Sequence, residues 1–293
     1  MATLQSYGAA EVVTGSCHLL QLQCGVNILI DCGMFQGLRE ESNQNAFGFD
    51  PKEVDFLFIT HGHLDHVGRI PKLVKEGFNG TIVTHSSTMD LAEVVLLDAA
   101  HLMEESYKTR FKKAQRTGKE REVKNVLYTQ GDVRSVFRCP MIFTSYNEQV
   151  DLGNGVFVTF KNAGHILDSA IIQVMFEENG IKKTVIFSGD LGNEDDLVVP
   201  SPDTVEEADV LFIESTYGDR NHRGVKESDV ELQKAILETF AKGGNVLIPS
   251  FAIERTQEIL CLLKQMYERG ELPACQIFLD SPMAIRATEI YKK

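Results

Sequence analysis

Residues 61–66, HGHLDH, bring three imidazoles and one carboxylate within six positions. The preceding residues 55–60, DFLFIT, form an apolar run, the pattern of a β-strand that is buried on both faces. Gly62 permits a tight turn, so the side chains that follow this strand are expected to converge in a cleft. Imidazole and carboxylate suit Zn²⁺, and Mn²⁺ or Fe²⁺ is also tolerated. A chance cluster of surface histidines is the alternative, but this strand with this spacing is a demanding combination, so we predict a metal site.

Two later loops carry the same types of ligand after apolar strands. His165 follows the strand that ends near residue 161, and Asp190 follows the apolar run TVIF. Each is ambiguous alone, because a lone histidine is usually structural and Gly-Asp is usually a turn. Together with HGHLDH they suggest one metal held by three nitrogens, a second held by Asp65 and His66, and a shared carboxylate between them. Two metals about 3.5–4 Å apart stabilise attacking and leaving oxygens and make hydroxide available near neutral pH.

A further carboxylate, Asp31, ends the strand-like segment ILID. We interpret it as a group that orients a metal ligand. A strand-end cap is the alternative, and the sequence does not separate the two.

The surrounding sequence predicts the elements that position these side chains. Short β-rich runs at 12–14, 16–23 and 26–31 indicate a meander of paired strands, and Asn179-Gly180 indicates a hairpin turn. Further strands are predicted at 81–84, 155–161, 170–177, 183–188 and 209–214, and helices at 67–76 and 87–113. Beyond a boundary near 215–225, helices at 226–242 and 253–268 alternate with strands at 245–249 and 275–280, which indicates parallel-sheet packing in a second unit.

Composition bounds the class of protein. The 293 residues include 29 basic and 42 acidic side chains, and the net charge of −13 excludes a generally basic nucleic-acid coat protein. The six cysteines form no C-x-x-C pair, which leaves a zinc ribbon unsupported and favours reduced thiols. The first 20 residues lack the pattern of a secretory signal, and no apolar run approaches the ~20 residues of a membrane helix. We therefore predict a cytoplasmic protein without a membrane segment.

Seven segments together carry a resemblance to a known family. They are ILIDCG (28–33), FITHGHLDH (58–66), AGHILDSA (163–170), FSGDLG (187–192), ESTYGDRNH (214–222), PSFAIERTQEIL (249–260) and LDSPMA (279–284). The chain resembles the metallo-β-lactamase superfamily and, through the last three segments, its β-CASP branch of RNA-processing nucleases. The resemblance implies an α/β fold: a metallo-β-lactamase αβ/βα sandwich over residues 1–215, followed by the first part of an inserted α/β β-CASP domain over 216–293.

The resemblance also implies roles for the candidate ligands. Two Zn²⁺ ions are expected, with Mn²⁺ as the alternative. The residues of the site would be His61, His63 and His165 at one metal, Asp65 and His66 at the other, Asp190 as the bridge, and Asp31 in support. Asp65, Asp31 and Glu214 are the expected catalytic residues.

The branch-specific positions point to substrate. Glu214 would pair with a downstream histidine near the scissile phosphate, and Tyr217, Asp219 and His222 would line the entrance between the domains. A surface-loop histidine is the alternative for His222. The chain departs from the family at two positions: Asp168 stands where relatives more often carry a small residue, and Glu254 where they often carry Gly. Neither departure removes a metal ligand, but the family's substrate contacts at these two positions cannot be carried over to this chain.

The positions of the histidines suggest a fragment. None of the eight follows position 222, whereas the family takes one more zinc-binding histidine from a later segment. The chain reaches residue 293 on a helical pattern at 283–293 without a closing element. We expect a lactamase-like domain without its C-terminal return segment. Such a chain would bind the metal at the three histidines more tightly than the second metal, and it would cleave RNA poorly. A genuinely short protein is the alternative.

Residues 107–125 reverse the overall charge, with eight Lys or Arg and two Glu, so 8 − 2 gives +6. Lys112, Lys113 and Arg116 are the candidate phosphate contacts, and Tyr107 and Phe111 are candidates for stacking. A solvated helix is the alternative.

The predicted function is metal-dependent hydrolysis of RNA phosphodiester bonds, by water activated at the metal pair. Two alternatives remain: hydrolysis of a small ester, thioester or lactam, and a non-catalytic scaffold subunit. RNA is the expected partner, and the oligomeric state stays open, with a homodimer among the alternatives.

Overall fold

The computed structural model describes residues 1–194, 196–220 and 225–293. Its strands β1 to β11 are Thr3–Gly8, Cys17–Gln21, Asn27–Ile30, Phe56–Phe58, Thr81–Thr84, Met141–Phe143, Gln149–Asp151, Phe157–Asn162, Ala170–Glu178, Ile181–Phe187 and Val210–Phe212. Its helices α1 to α7 are Leu64–Val67, Ile70–Lys75, Ser86–Gln115, Gln130–Val136, Val225–Ala241, Arg255–Glu268 and Pro282–Tyr291. Short 3₁₀ segments lie at Gly37–Gln44, Pro51–Glu53 and Glu120–Glu122.

Two sheets pack face to face. The first has strands β1 to β6 in sequence order, and its parallel part runs from β3 to β6. The second has the order β11-β10-β9-β8-β7, antiparallel except for the β10–β11 pair. Ile30 and Phe58 of the first sheet share one apolar core with Phe160 and Ile172 of the second. The rings of Phe58 and Phe160 meet edge to face with centroids 6.1 Å apart.

A helical layer covers the outer face of the first sheet. Leu29, Leu57 and Ile82 pack there against side chains such as Ile70 of α2 and Leu96 of α3. Both faces of the strands are therefore buried, which explains the continuous apolar runs ILI and FLF. The predicted α/β sandwich is confirmed.

The strand ends bring the candidate ligands together. β3 and β4 are parallel, with Ile30 beside Phe58, so Asp31 and the segment that begins at Ile59 leave the first sheet at one edge. In the second sheet, β10 and β11 are parallel and end at Phe187 and Phe212. A hydrogen bond of 2.8 Å from the Ala170 amide to the Thr60 carbonyl joins the two sheets at this edge.

Three predicted strands are wrong. Residues 12–14 form bends after β1, and residues 245–249 and 275–280 lie outside any strand, although all are among the described residues. Leu247 is 92% exposed and Phe278 is 81% exposed. A strand is stabilised by ladder hydrogen bonds to a neighbour, and the segments at 245–249 and 275–280 pair with no strand in the described residues. The predicted β-α-β alternation after residue 225 is thus reduced to its helices.

Helix α7 packs against the sandwich. Its residues Ala287 and Ile290 share an apolar cluster with Leu91 of α3, with Ile166 and with Ile253. Among the described helices, none is long and apolar enough to cross a membrane.

Three carboxylates meet where α6 approaches the segment after residue 195. Oxygen atoms of Asp196, Glu254 and Glu258 lie within 4.8 Å of one another. Burial, with the carboxylates of Asp196 and Glu258, raises the pKa of Glu254 to about 7, although Tyr291 and Arg255 oppose the shift. Burial and Asp196 likewise raise the pKa of Glu258 to about 7, against the attraction of Arg255.

These pKa values predict how stability depends on pH. Between about pH 4.5 and 7 the folded chain holds protons on this cluster that the unfolded chain has released, so the free energy of unfolding falls as pH rises. In Glu254→Gln, this fall in the free energy of unfolding should be smaller by about 3 kcal/mol, the free energy that corresponds to the pKa shift of Glu254. Urea unfolding of both proteins at pH 5 and pH 8 measures the difference. Parallel stability profiles would contradict the prediction.

Candidate metal centre

The HGHLDH segment is held by close backbone contacts with the segment after β3. The Cys32 amide donates to the His66 carbonyl at 2.9 Å. A Cβ atom on Gly33 would lie 1.5 Å from the Asp65 carbonyl oxygen, so only glycine permits this approach. After the turn that follows His61, helix α1 begins at Leu64. Asp65 and His66 therefore lie on its first turn.

Three imidazole nitrogens and one carboxylate converge. His61 Nε2 lies 3.1 Å from His63 Nδ1, and His63 Nδ1 lies 3.2 Å from His165 Nε2. Asp190 Oδ2 lies 3.8 Å from His61 Nε2 and 3.6 Å from His165 Nε2. HGHLDH, the loop after β8 and the loop after β10 supply these four groups.

This donor set fits a metal ion. Four ligand atoms about 2.0–2.1 Å from a tetrahedral Zn²⁺ are about 3.3 Å from one another, close to the observed nitrogen separations. Burial and the neighbouring imidazoles lower the pKa of His61 well below its usual value, and burial lowers the pKa of His63 to about 3. Neutral imidazoles are the form that binds metals. The donor types also suit Mn²⁺, so the arrangement does not select one ion.

Asp31 and Thr60 contact the Nδ1 atoms of the candidate ligands His66 and His61. Asp31 is buried and accepts the Thr60 amide at 2.8 Å and the Thr60 hydroxyl at 2.9 Å. His66 Nδ1 lies 2.7 Å from Asp31 Oδ2, and His61 Nδ1 lies 3.0 Å from Thr60 Oγ1. If each Nδ1–H donates, the Nε2 lone pair of each ring is free to face the cluster, the usual support for a metal-binding histidine.

Asp190 lies between two groups of ligands. Its Oδ1 is 3.2 Å from His66 Nε2, while Oδ2 faces the three-imidazole set. Burial opposes its ionisation, but His66 and the other imidazoles outweigh burial and lower its pKa to about 2. The pKa of His66 is raised well above its usual value, because the carboxylates of Asp31 and Asp190 outweigh burial.

Asp65 is half-buried beside this group. Burial is the main cause that raises its pKa, and Asp190 adds to the effect. It is not one of the four residues whose ligand atoms lie within 4.8 Å of one another.

Glu214 follows β11 and fixes the Asp190 loop. Its Oε1 accepts the amide of Leu191, the residue after Asp190, at 3.0 Å, and its Oε2 accepts the Thr216 amide at 3.1 Å. The amide of Glu214 donates to Ser188 Oγ at 3.0 Å. The Glu214 carboxylate therefore fixes the loop that carries Asp190 in this structure.

The predicted substrate residues lie further out. Tyr217 is exposed, and the Asp219 carboxylate pairs with Arg220 at 2.9 Å. His222 lies outside the described residues. Lys112, Lys113 and Arg116 are exposed at the end of α3, about 36 Å along the helix from Thr88, which bonds the His165 loop at Asp168.

The sequence did not indicate three residues of the site. Thr60 bonds Asp31 and His61, and Ser16 donates to Asp31 at 3.3 Å. His18 pairs with Ile30 in the sheet and lines a cleft of about 430 Å³ together with Asp31, His66, Asp190 and Glu214. The one available signal was a polar Thr between an apolar strand and the first histidine.

Comparisons with known proteins agree with these features. A family profile described as the metallo-beta-lactamase superfamily matches residues 10–129, and one described as the Beta-Casp domain matches residues 256–293.

Three relatives align with almost the whole length of this chain. Ribonuclease TTHA0252 of Thermus thermophilus is 43% identical over 98% of this chain and 60% of its own length. Transcription termination factor FttA of Methanosarcina mazei is 30% identical over 97% of this chain and 42% of its own length. Probable RNase MJ4 of Methanocaldococcus jannaschii is 31% identical over 97% of this chain and 60% of its own length. The chain thus spans from 42% to 60% of these relatives.

The support from Asp31 is testable through metal content. Asp31 has a φ of 58°, which asparagine also adopts, so Asp31→Asn should keep the backbone and remove the charge behind His66. We expect the affinity for the metal at His66 to fall about 10- to 100-fold while the three-imidazole metal is retained. Metal analysis after dialysis measures this loss, with Asp50→Asn at an exposed helix cap as the matched control. Equal metal content in both variants would contradict the role of Asp31.

Proposed function

The chain belongs to the beta-CASP branch of the metallo-beta-lactamase superfamily, and from this premise we propose that it is a metal-dependent hydrolase that cleaves RNA phosphodiester bonds. The observation that supports the proposal most is the convergence of His61, His63, His165 and Asp190, of which Asp190 also lines the cleft. The ribonuclease name of the 43% identical relative points to the substrate class.

We assign the metals to two adjacent positions. His61, His63 and His165 would hold one ion, Asp65 and His66 the other, and Asp190 would contact both. Two Zn²⁺ ions are proposed, with Mn²⁺ as the alternative. When bound, such a pair activates water near neutral pH and stabilises charge on the phosphate oxygens.

The other residues of the chain orient these ligands. Asp31 holds His66, and Thr60 links Asp31 to His61, so the rings keep their nitrogens directed at the metals. Glu214 holds the backbone beside Asp190 and lines the cleft, where it can also face the substrate. We place it with Asp65 and Asp31 among the groups that catalysis requires.

RNA would extend beyond the cleft. Tyr217, Asp219 and His222 are proposed contacts near the entrance, and Lys112, Lys113 and Arg116 are proposed phosphate contacts on α3. The boundary between the catalytic unit and the second unit is proposed at 215/216. We also propose a cytoplasmic location, because the six cysteines are free thiols, the form typical of that compartment.

A cleavage assay tests the proposed activity. The chain should cut a labelled single-stranded RNA at a low but measurable rate, a chelator should abolish cutting, and added Zn²⁺ or Mn²⁺ should restore it. His63→Ala and His165→Ala should each lower the rate at least about 100-fold, because each removes a metal ligand. His101→Ala, an exposed histidine on α3, is the matched control. Cleavage that resists the chelator, or that survives both substitutions, would refute the proposal.

Salt dependence tests the basic end of α3. The triple variant Lys112→Glu, Lys113→Glu, Arg116→Glu should bind single-stranded RNA more weakly, and its slope of log affinity against log salt should be shallower by about 2. The triple variant Lys182→Glu, Lys234→Glu, Lys264→Glu changes three exposed lysines elsewhere and has the same net charge. Equal slopes for the two triple variants would remove RNA contact from α3.

A further inference from the structure

A strained turn precedes α6, immediately before residues 256–293, which the Beta-Casp profile matches. Glu254 has φ 65° and ψ −69°, and the Arg255 amide donates to the Ile253 carbonyl at 3.0 Å. These values describe a classic γ-turn, which is rare and strained. A residue other than glycine persists in such a conformation where the surrounding structure over-determines it, so the contacts of the Glu254 side chain become informative.

Those contacts lead to the opposite end of the matched segment. Glu254 is 8% exposed, and its Oε2 accepts the hydroxyl of Tyr291 at 2.5 Å. The same Tyr291 oxygen accepts the amide of Leu167 at 3.1 Å. Tyr291 therefore donates to the strained turn and receives a hydrogen bond from a loop more than 120 residues earlier in the chain.

That loop carries the metal-ligand candidate His165. The amides of His165 and Ile166 donate to Ser169 Oγ at 3.0 and 3.2 Å, within the loop itself. Leu167 is the next amide, and Tyr291 is its partner. The conformation of three consecutive residues that begin at His165 is thus completed by a side chain from α7.

Apolar residues next to this contact pack together. Ile253, beside Glu254, and Ile290, beside Tyr291, belong to one buried cluster with Ile166. Leu167 and Leu64, which lies between His63 and Asp65, pack on the same cluster. Both segments that carry candidate ligands therefore pack on a cluster that includes residues of the γ-turn and of α7.

We propose that Tyr291 and Glu254 are positioning residues for the metal centre, which act through the Leu167 amide on the orientation of His165. The proposal rests on the assignment of His165 as a metal ligand under the proposed function. It links occupancy of the metal centre to the packing of α6 and α7, and it assigns a role to a glutamate at a backbone position that favours glycine.

Metal binding provides a test that does not depend on RNA cleavage. Tyr291→Phe keeps the ring and removes the hydroxyl, so the affinity for Zn²⁺ at the three-imidazole set should fall about 10-fold, and the visible spectrum of the Co²⁺-loaded chain should change. Tyr128→Phe is the matched control, because Tyr128 is fully buried and its hydroxyl has no hydrogen-bond partner among the described residues.

Glu254→Gly separates positioning from a merely structural role. Glycine suits a φ of 65°, so the melting temperature should equal or exceed that of the unsubstituted chain. Loss of the acceptor should still weaken Zn²⁺ binding and alter the Co²⁺ spectrum. Weaker metal binding in both variants, with full stability in Glu254→Gly, supports the proposal. Wild-type affinity and spectrum in either variant overturns it. Failure of RNA cleavage with this pattern of metal binding intact would count against the proposed function alone.

Discussion

The hydrogen bonds of the buried Asp31 carboxylate are the interactions on which the site depends. The carboxylate accepts the amide and hydroxyl of Thr60 and lies 2.7 Å from His66 Nδ1, so one side chain fixes the exit of β4 and the first turn of α1. A carboxylate this deeply buried is stable only with such partners. In return it orients His66 directly and, through Thr60, His61. The parallel pairing of β3 with β4 is what brings Asp31 to this position.

A second set of hydrogen bonds fixes the two loops that follow strands of the second sheet. Glu214 holds the backbone after Asp190, and Ser169 with Tyr291 holds the backbone after His165. The positions of the candidate ligands His165 and Asp190 thus depend on Tyr291 and Glu214, which follow the last strand, as well as on the second sheet. Packing of α7 on α3 and on Ile166 joins the Beta-Casp-matched segment to the sandwich.

Local patterns predicted much of this arrangement. HGHLDH is a short-range signal, and the strand ends before His165 and Asp190 could be recognised from apolar runs. The same runs predicted individual strands, whereas the sandwich was what the family resemblance implied. The strand predictions at 245–249 and 275–280 failed because apolar periodicity does not specify a pairing partner. Contacts such as Thr60 to His66 or Tyr291 to Leu167 depend on how distant elements pack, so no spacing in the sequence indicates them.

We propose that imidazoles from two sheet edges, together with Asp190, bind a metal ion. Crystals of the chain grown with Zn²⁺, measured at the zinc absorption edge, test it directly. We expect an anomalous peak between His61 Nε2, His63 Nδ1, His165 Nε2 and the Asp190 carboxylate. A zinc peak elsewhere, such as among Asp196, Glu254 and Glu258, with none at the imidazoles, would contradict it.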